Sequence, residues 1–148
     1  MPWSASARPG AARRRRAQAG ATSLEFALVG SILLSLLLGS IEMGRYMFTV
    51  ELVRVAAAEA VRLTTLRGSQ NLNAGTAACS GLSGNLSGAG HRTPFLDANE
   101  LEVTMSGCTT AGGITTVSIA VEYPFSFAVP FFGTTSRPVS ETARAVFH

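Results

Sequence analysis

The 148-residue chain has no lysine, two histidines, two cysteines, two tyrosines and one tryptophan. Each shortage narrows the chemistry. His91 falls in a Gly/Ser-rich stretch and His148 is the last residue, and neither has Cys, Asp or Glu neighbours at metal-ligand spacing. There is no C-x-x-C pair, no G-x-S-x-G turn and no glycine-rich phosphate loop. Asp97, Glu100 and Glu102 crowd together, but on a loop and strand edge they read as a solvated face. No nucleophile, base and oxyanion donor come together. The expectation is a non-enzymatic protein with no catalytic residues, no metal, no cofactor and no small-molecule substrate.

Acid is also missing from the start of the chain, where the first carboxylate is Glu25. Five of the twelve arginines (Arg8, Arg13, Arg14, Arg15 and Arg16) precede Gly20, while residues 21–148 hold seven arginines against nine acids, a net charge of −2. The basic character thus belongs to a short Ala/Pro/Ser-rich leader. A nucleic-acid binder carries its basic residues on a folded face, so no nucleic-acid partner is expected.

What the chain does have is one strongly apolar run. Leu24 to Ile41 carries a single charge, and residues 21–41 suffice for a membrane-spanning helix at ~1.5 Å per residue across a roughly 30 Å hydrocarbon core. The arginines before it hold the N-terminus in the cytoplasm and send the C-terminal part across. Cys79 and Cys108 then both lie on the exported, oxidising side. There they form a disulfide, or else remain two small hydrophobes.

The helical pattern does not stop at the membrane exit. Residues 42–67 contain no proline, three Glu/Arg pairs three residues apart (Glu42/Arg45, Glu51/Arg54, Glu59/Arg62), and a stripe of Met43, Tyr46, Val50, Val53, Ala57 and Val61. Arg67-Gly68 reads as the helix stop. Residues 68–99, rich in Gly, Ser, Asn and Ala, read as a long loop with little regular structure. Three strands follow. Leu101, Val103 and Met105 alternate, "CTTAGG" supplies a turn, and Val117, Ile119, Val121 and Tyr123 alternate again. Beyond Pro124 and Pro130, "VSETARAVF" places Val139, Ala143, Ala145 and Phe147 on one side, with Glu141 and Val146 breaking the pattern. The expected fold class is α+β and pilin-like: one long N-terminal helix, transmembrane then amphipathic, packed on a small antiparallel sheet. The expected divisions are a disordered basic leader (1–20), a transmembrane helix (21–41), its amphipathic continuation (42–67) and a small β-rich head (68–148).

The junction "RRRRAQAGATSLEFALVGSILLSLLLGS" admits three readings. A cleaved secretory signal accounts for the basic and apolar parts, but no A-x-A follows the apolar run and cleavage there would split a continuous helix. A plain signal anchor gives the orientation and leaves Glu25 unexplained. The third rests on a likeness. A basic leader ending in Gly20, then a helix whose fifth residue is Glu25, resembles the processing site of type IV prepilins. "GATSLEFALVGSILLSLLLGSIEMGRYMFT" with "RVAAAEAVRLTTLRG", and "VSIAVEYPFSFAVPFFG" with "VSETARAV", resemble the TadE/TadG-like proteins, pilin-like assembly proteins of the Tad (Flp) pilus. The likeness covers Arg13 to Arg67 and about Val117 to Val146.

It implies that a membrane-embedded prepilin peptidase cuts between Gly20 and Ala21, and that the chain then works with other Tad pilins or pseudopilins and an inner-membrane assembly platform. The implied location is the bacterial inner membrane, single-pass, with the head in the periplasm or carried into a pilus. Glu25 lies ~6 Å along the helix from Ala21 and is placed to pair with a neighbouring subunit's newly exposed amine. The plainer alternative is a carboxylate reaching back to the headgroups. Ser23, Ala27, Ser31, Ser35 and Gly39 recur every four residues, which is either a small-residue ridge for helix contact in lipid or ordinary transmembrane composition. A competing function is an uncleaved, membrane-anchored periplasmic adaptor.

Overall fold

Ala11 to Ala19 consists of Ala, Arg and Gln, the strongest helix formers, and in the computed structural model the long helix α1 begins there, running Gly10–Asn73. The structure describes residues 10–89, 95–129, 133 and 135–148, with side chains from Ser23 onward except at 85, 87 and 88. Residues 10–20 of the leader, expected to be disordered, are therefore helical, and residues 1–9 lie outside the described part. The chain divides into two units, residues up to Ile41 and residues Glu42–His148.

Within the second unit, α1 (from Glu42) is joined by three strands, β1 (Glu102–Ala111), β2 (Ile114–Phe125) and β3 (Arg137–Phe147), paired antiparallel in the order β1-β2-β3. This is the α+β arrangement the patterning implied. The β1–β2 turn is only Gly112-Gly113, both at positive φ, a two-residue hairpin of the kind that matches strand twist. Cys108 to Ala111, expected in the turn, are strand. At the other end of the hairpin partner, Pro124 sits opposite Pro138, and neither has an N–H to extend the ladder.

The core gathers Val53, Ala56, Ala57 and Ala60 of α1 against Val117, Ile119 and Val121 of β2 and Ala145 and Phe147 of β3. The buried face of the helix differs from the expected stripe at its start. Met43 is 55% exposed, and Glu42 points inward instead. The face continues through small and polar residues, Ala56, Ala60, Thr64 and Gly68, because short side chains let a helix backbone lie close to a sheet. Thr64 satisfies its hydroxyl on the Ala60 carbonyl at 2.8 Å. On β3, Glu141 does not break the alternation. It shares the inner parity of Val139 and Ala143 and approaches Arg54 of α1 at 3.9 Å.

Gly68 is not the helix stop. It is buried inside α1, where a Cβ would run into the Phe147 ring. The stop comes at Gly75, at φ 69°, whose N–H donates to the Leu72 carbonyl while the Thr76 N–H donates to Asn71, the paired bonds of a Schellman cap. A sign test follows. Gly68→Ala should destabilise the head by about 1–3 kcal/mol through overpacking. In a Phe147→Ala background the same change should stabilise it by about 1 kcal/mol through helix propensity. Thermal unfolding of the four variants reads both signs.

The described residues of the stretch 68–99, which are 68–89 and 95–99, are also more ordered than its composition implied. After α1 ends, a 3-10 helix (Ser83–Gly88) forms, and Leu82 and Leu86 are among the most buried side chains. Buried Asn71 holds the return of the chain, donating to the carbonyls of Ala78 at 3.3 Å and Ser80 at 2.7 Å. Cys79 lies between those two anchors.

Candidate functional site

The first unit is a bare helix. Leu24, Phe26, Leu33 and Leu36 each expose more than half of their surface, and among the described residues none buries the side chains of this stretch. The helix holds an 18-residue window of mean hydropathy 2.1, long and apolar enough by length and composition to cross a membrane. Such a surface is stable in hydrocarbon, where each backbone N–H and C=O is satisfied within the helix. A single N-terminal apolar helix of this kind fits a membrane-anchored, pilin-like protein.

Its polar groups are few. Glu25 is exposed on the helix, one turn after Ala21. Gly20 and Ala21 lie in the helical backbone, and their side-chain surroundings are outside the described residues. The serine hydroxyls turn inward: Ser31 donates to the Leu28 carbonyl, Ser35 to Ser31 and Ser40 to Leu36, each at 2.8 Å. Ser31 and Ser35 therefore present bulk rather than donors to a neighbour. Spaced every four residues at 100° per residue, Ser23, Ala27, Ser31, Ser35 and Gly39 form one inclined row on the cylinder.

The second unit begins with a charged junction. Glu42 is 4% exposed and its two carboxylate oxygens accept from the Arg45 guanidinium at 2.9 and 3.0 Å. The same carboxylate accepts from the Ala128 N–H at 3.4 Å, so the segment after β2 is fastened to α1. Arg45 also lies over the Phe125 ring at 5.7 Å. The pair was legible as an i,i+3 spacing; the inward side of Glu42 was not, because a glutamate reads as solvent-facing. The other two pairs form as well, Glu51 with Arg54 at 2.9 Å and Glu59 with Arg62 at 2.8 Å. The hydrogen bond from Arg62 to Glu59, and then its charge, raises the Arg62 pKa.

Cys79 and Cys108 are joined in a disulfide, with Cα atoms 6.1 Å apart. A bulge makes this possible. The β1–β2 register slips between Ser106 and Thr109, with Gly107 at φ 62°. Val103 and Met105 face the core, and strict alternation would put Cys108 on the opposite face. The extra residue restores Cys108 to the inner side.

Asp97, Glu100 and Glu102 are exposed, and Asp97 accepts from the Asn99 N–H in a local turn. Among the described residues no three His, Cys, Asp or Glu side chains converge to hold a metal ion. His91 lies outside the described residues.

No curated protein and no solved structure matches the chain. The later strands, which carry the second stretch of likeness, lie outside the residues that a family model matches. Residues 20–62 match the family described as TadE-like protein, from Gly20 through the apolar run to Arg62, which suggests membrane association and involvement in Tad pilus-related assembly.

Proposed function

We propose that this protein is a minor pilin or pseudopilin of the Tad (Flp) pilus system, cut by a prepilin peptidase after Gly20 and acting in pilus initiation, assembly and surface adhesion. The role is structural rather than catalytic. One observation carries it: the TadE-like match begins at Gly20, five residues before Glu25, the single exposed carboxylate of the apolar stretch 21–41. Cutting there removes all five leader arginines and creates an amine at Ala21. In a low-dielectric bundle that ammonium and the Glu25 carboxylate of an adjacent subunit neutralise one another. The proposed partners are the peptidase, other Tad pilins or pseudopilins and their inner-membrane platform.

The disulfide favours an exported head, since such bonds persist in oxidising compartments. Co-expression with a prepilin peptidase followed by N-terminal sequencing should return Ala21; an intact Met1 sinks the pilin reading and leaves the uncut periplasmic adaptor. Glu25→Ala should be cut normally yet lose most of its incorporation into assembled pili, measured by immunoblot of sheared filaments. Normal incorporation would discard the charge-pairing role.

A further inference from the structure

The three-stranded sheet of the head has two open edges. Among the described residues, β1 and β3 hydrogen-bond only within the sheet, so the outer N–H and C=O groups of both strands are unpaired. Each edge is guarded at one end. β1 is bulged at Gly107, and β3 begins with Pro138 in second place, which has no N–H to offer. Glu102 to Ser106 on β1 and Val139 to Phe147 on β3 have no such device, and the β2–β3 register runs without a slip.

The two edges also differ in charge on the outer face of the sheet. Glu102 lies directly opposite Glu122, both exposed, and like charges so placed repel. With Glu100 they line one cleft, and no arginine lines it. On β3 the same outer face carries Arg144, exposed and paired with no carboxylate among the described residues. Within one chain the two charges stand apart. Ser140 is the β3 residue opposite Glu122, and Arg144 lies four residues further on, ~13 Å at ~3.3 Å per residue.

We propose that β3 of one copy adds in parallel to β1 of a second copy, continuing the sheet from head to head. Main-chain hydrogen bonds supply the attachment, and the charges select the edges. Parallel addition keeps the inner faces of both sheets on one side, so Arg144 and Glu102 of the second copy share the outer face. With Thr142 to Val146 beside Glu102 to Ser106 of the second copy, Arg144 stands diagonal to that Glu102, within reach of a long side chain. Ala143 and Ala145 then lie beside Val103 and Met105 of the second copy on the inner side. Neither the bulge nor Pro138 enters the contact. A pair of like edges, β1 with β1 or β3 with β3, leaves the acids without a cation. The contact is heterologous, so each added copy presents the next free edge. It concerns the head alone and needs neither the cut after Gly20 nor the pairing of Glu25.

The test uses the full, uncut chain in detergent, without peptidase. The sequence has no lysine, so Arg144→Lys introduces one side-chain amine, and a carbodiimide joins an amine only to a carboxylate in contact with it. Wild-type chains, whose one amine is at Met1, set the background. Arg144→Lys should give covalent dimers above that background, and in a mixture of isotopically heavy and light chains the linked peptides should join position 144 of one to Glu102 of the other. Glu102→Gln in the same chain should lose most of the dimer. Amide exchange along residues 102–106 and 139–147 should slow as protein concentration rises, while exchange along β2 stays constant. No dimer above background, or links only within one chain or to acids of α1, would overturn the proposal. A link to Glu102 with exchange independent of concentration would reduce the contact to side chains and overturn strand addition.

Discussion

Gly20→Val, co-expressed with a prepilin peptidase, should keep Met1 at its N-terminus, with the yield of chains starting at Ala21 falling at least about a hundredfold, equivalent to ~2.7 kcal/mol in the barrier. Two features of the structure concentrate the effect on this residue. Gly20 lies within α1, so the bond to Ala21 has to leave a helix before a protease can attack it. Glycine holds a helical conformation least firmly and gives a narrow active site no side chain to accommodate. Valine holds a helix more firmly than glycine and adds a branched Cβ that a narrow site has to accommodate. Gly20→Ala should fall between the two, and mass spectrometry of the purified chains separates cut from uncut by the twenty-residue leader. Equal cutting of the valine variant would show that Gly20 is not the processing determinant.

Cys108→Ser should have the second large effect. The bond to Cys79 spans 29 positions in sequence, and closing a loop of that length stabilises a fold by about 3–4 kcal/mol on chain-entropy grounds. A head of this size has a small core, so the loss is a large share of its stability. Cys79→Ser and treatment with a reductant should lower the melting temperature by the same amount, and reductant should add nothing to either serine variant. An unchanged melting temperature would mean that the Asn71 anchor and buried Leu82 and Leu86 hold the segment by themselves.

The architecture was legible wherever one periodicity governed a whole element. The apolar run, the helix beyond it and the alternation of Val117, Ile119 and Val121 each carry a single period, and each became the expected element. Failures fell where a residue's type and its position disagreed. Glu42 faces inward to the Ala128 N–H and Glu141 to Arg54 of α1, long-range contacts absent from local composition. Met43 was placed on the buried stripe for its hydrophobicity, but the partner surface lies one residue earlier on the cylinder. Gly68 looked like a stop because glycine often is one; its meaning depends on Phe147, seventy-nine positions later. Of the candidate site, Gly20 and Glu25 stand in a contiguous motif, and their proposed roles rest on its resemblance to prepilin processing sites. The segment 68–99 was misjudged because low-complexity composition hid two leucines that the core needs.

The bulge at Gly107 sets which parts of the head tolerate a change of length. A residue gained between Gly75 and Ala78 disturbs the Asn71 bonds to Ala78 and Ser80 but leaves the parity of β1 untouched. Between Met105 and Cys108 a single residue gained or lost reverses parity, sends the sulfur to the outer face and leaves Cys79 facing nothing it can join. Oxidation of this head is therefore also a check on strand length. A chain whose β1 is one residue out of step is left with two unmatched thiols, chemically distinguishable from its correctly spaced sibling.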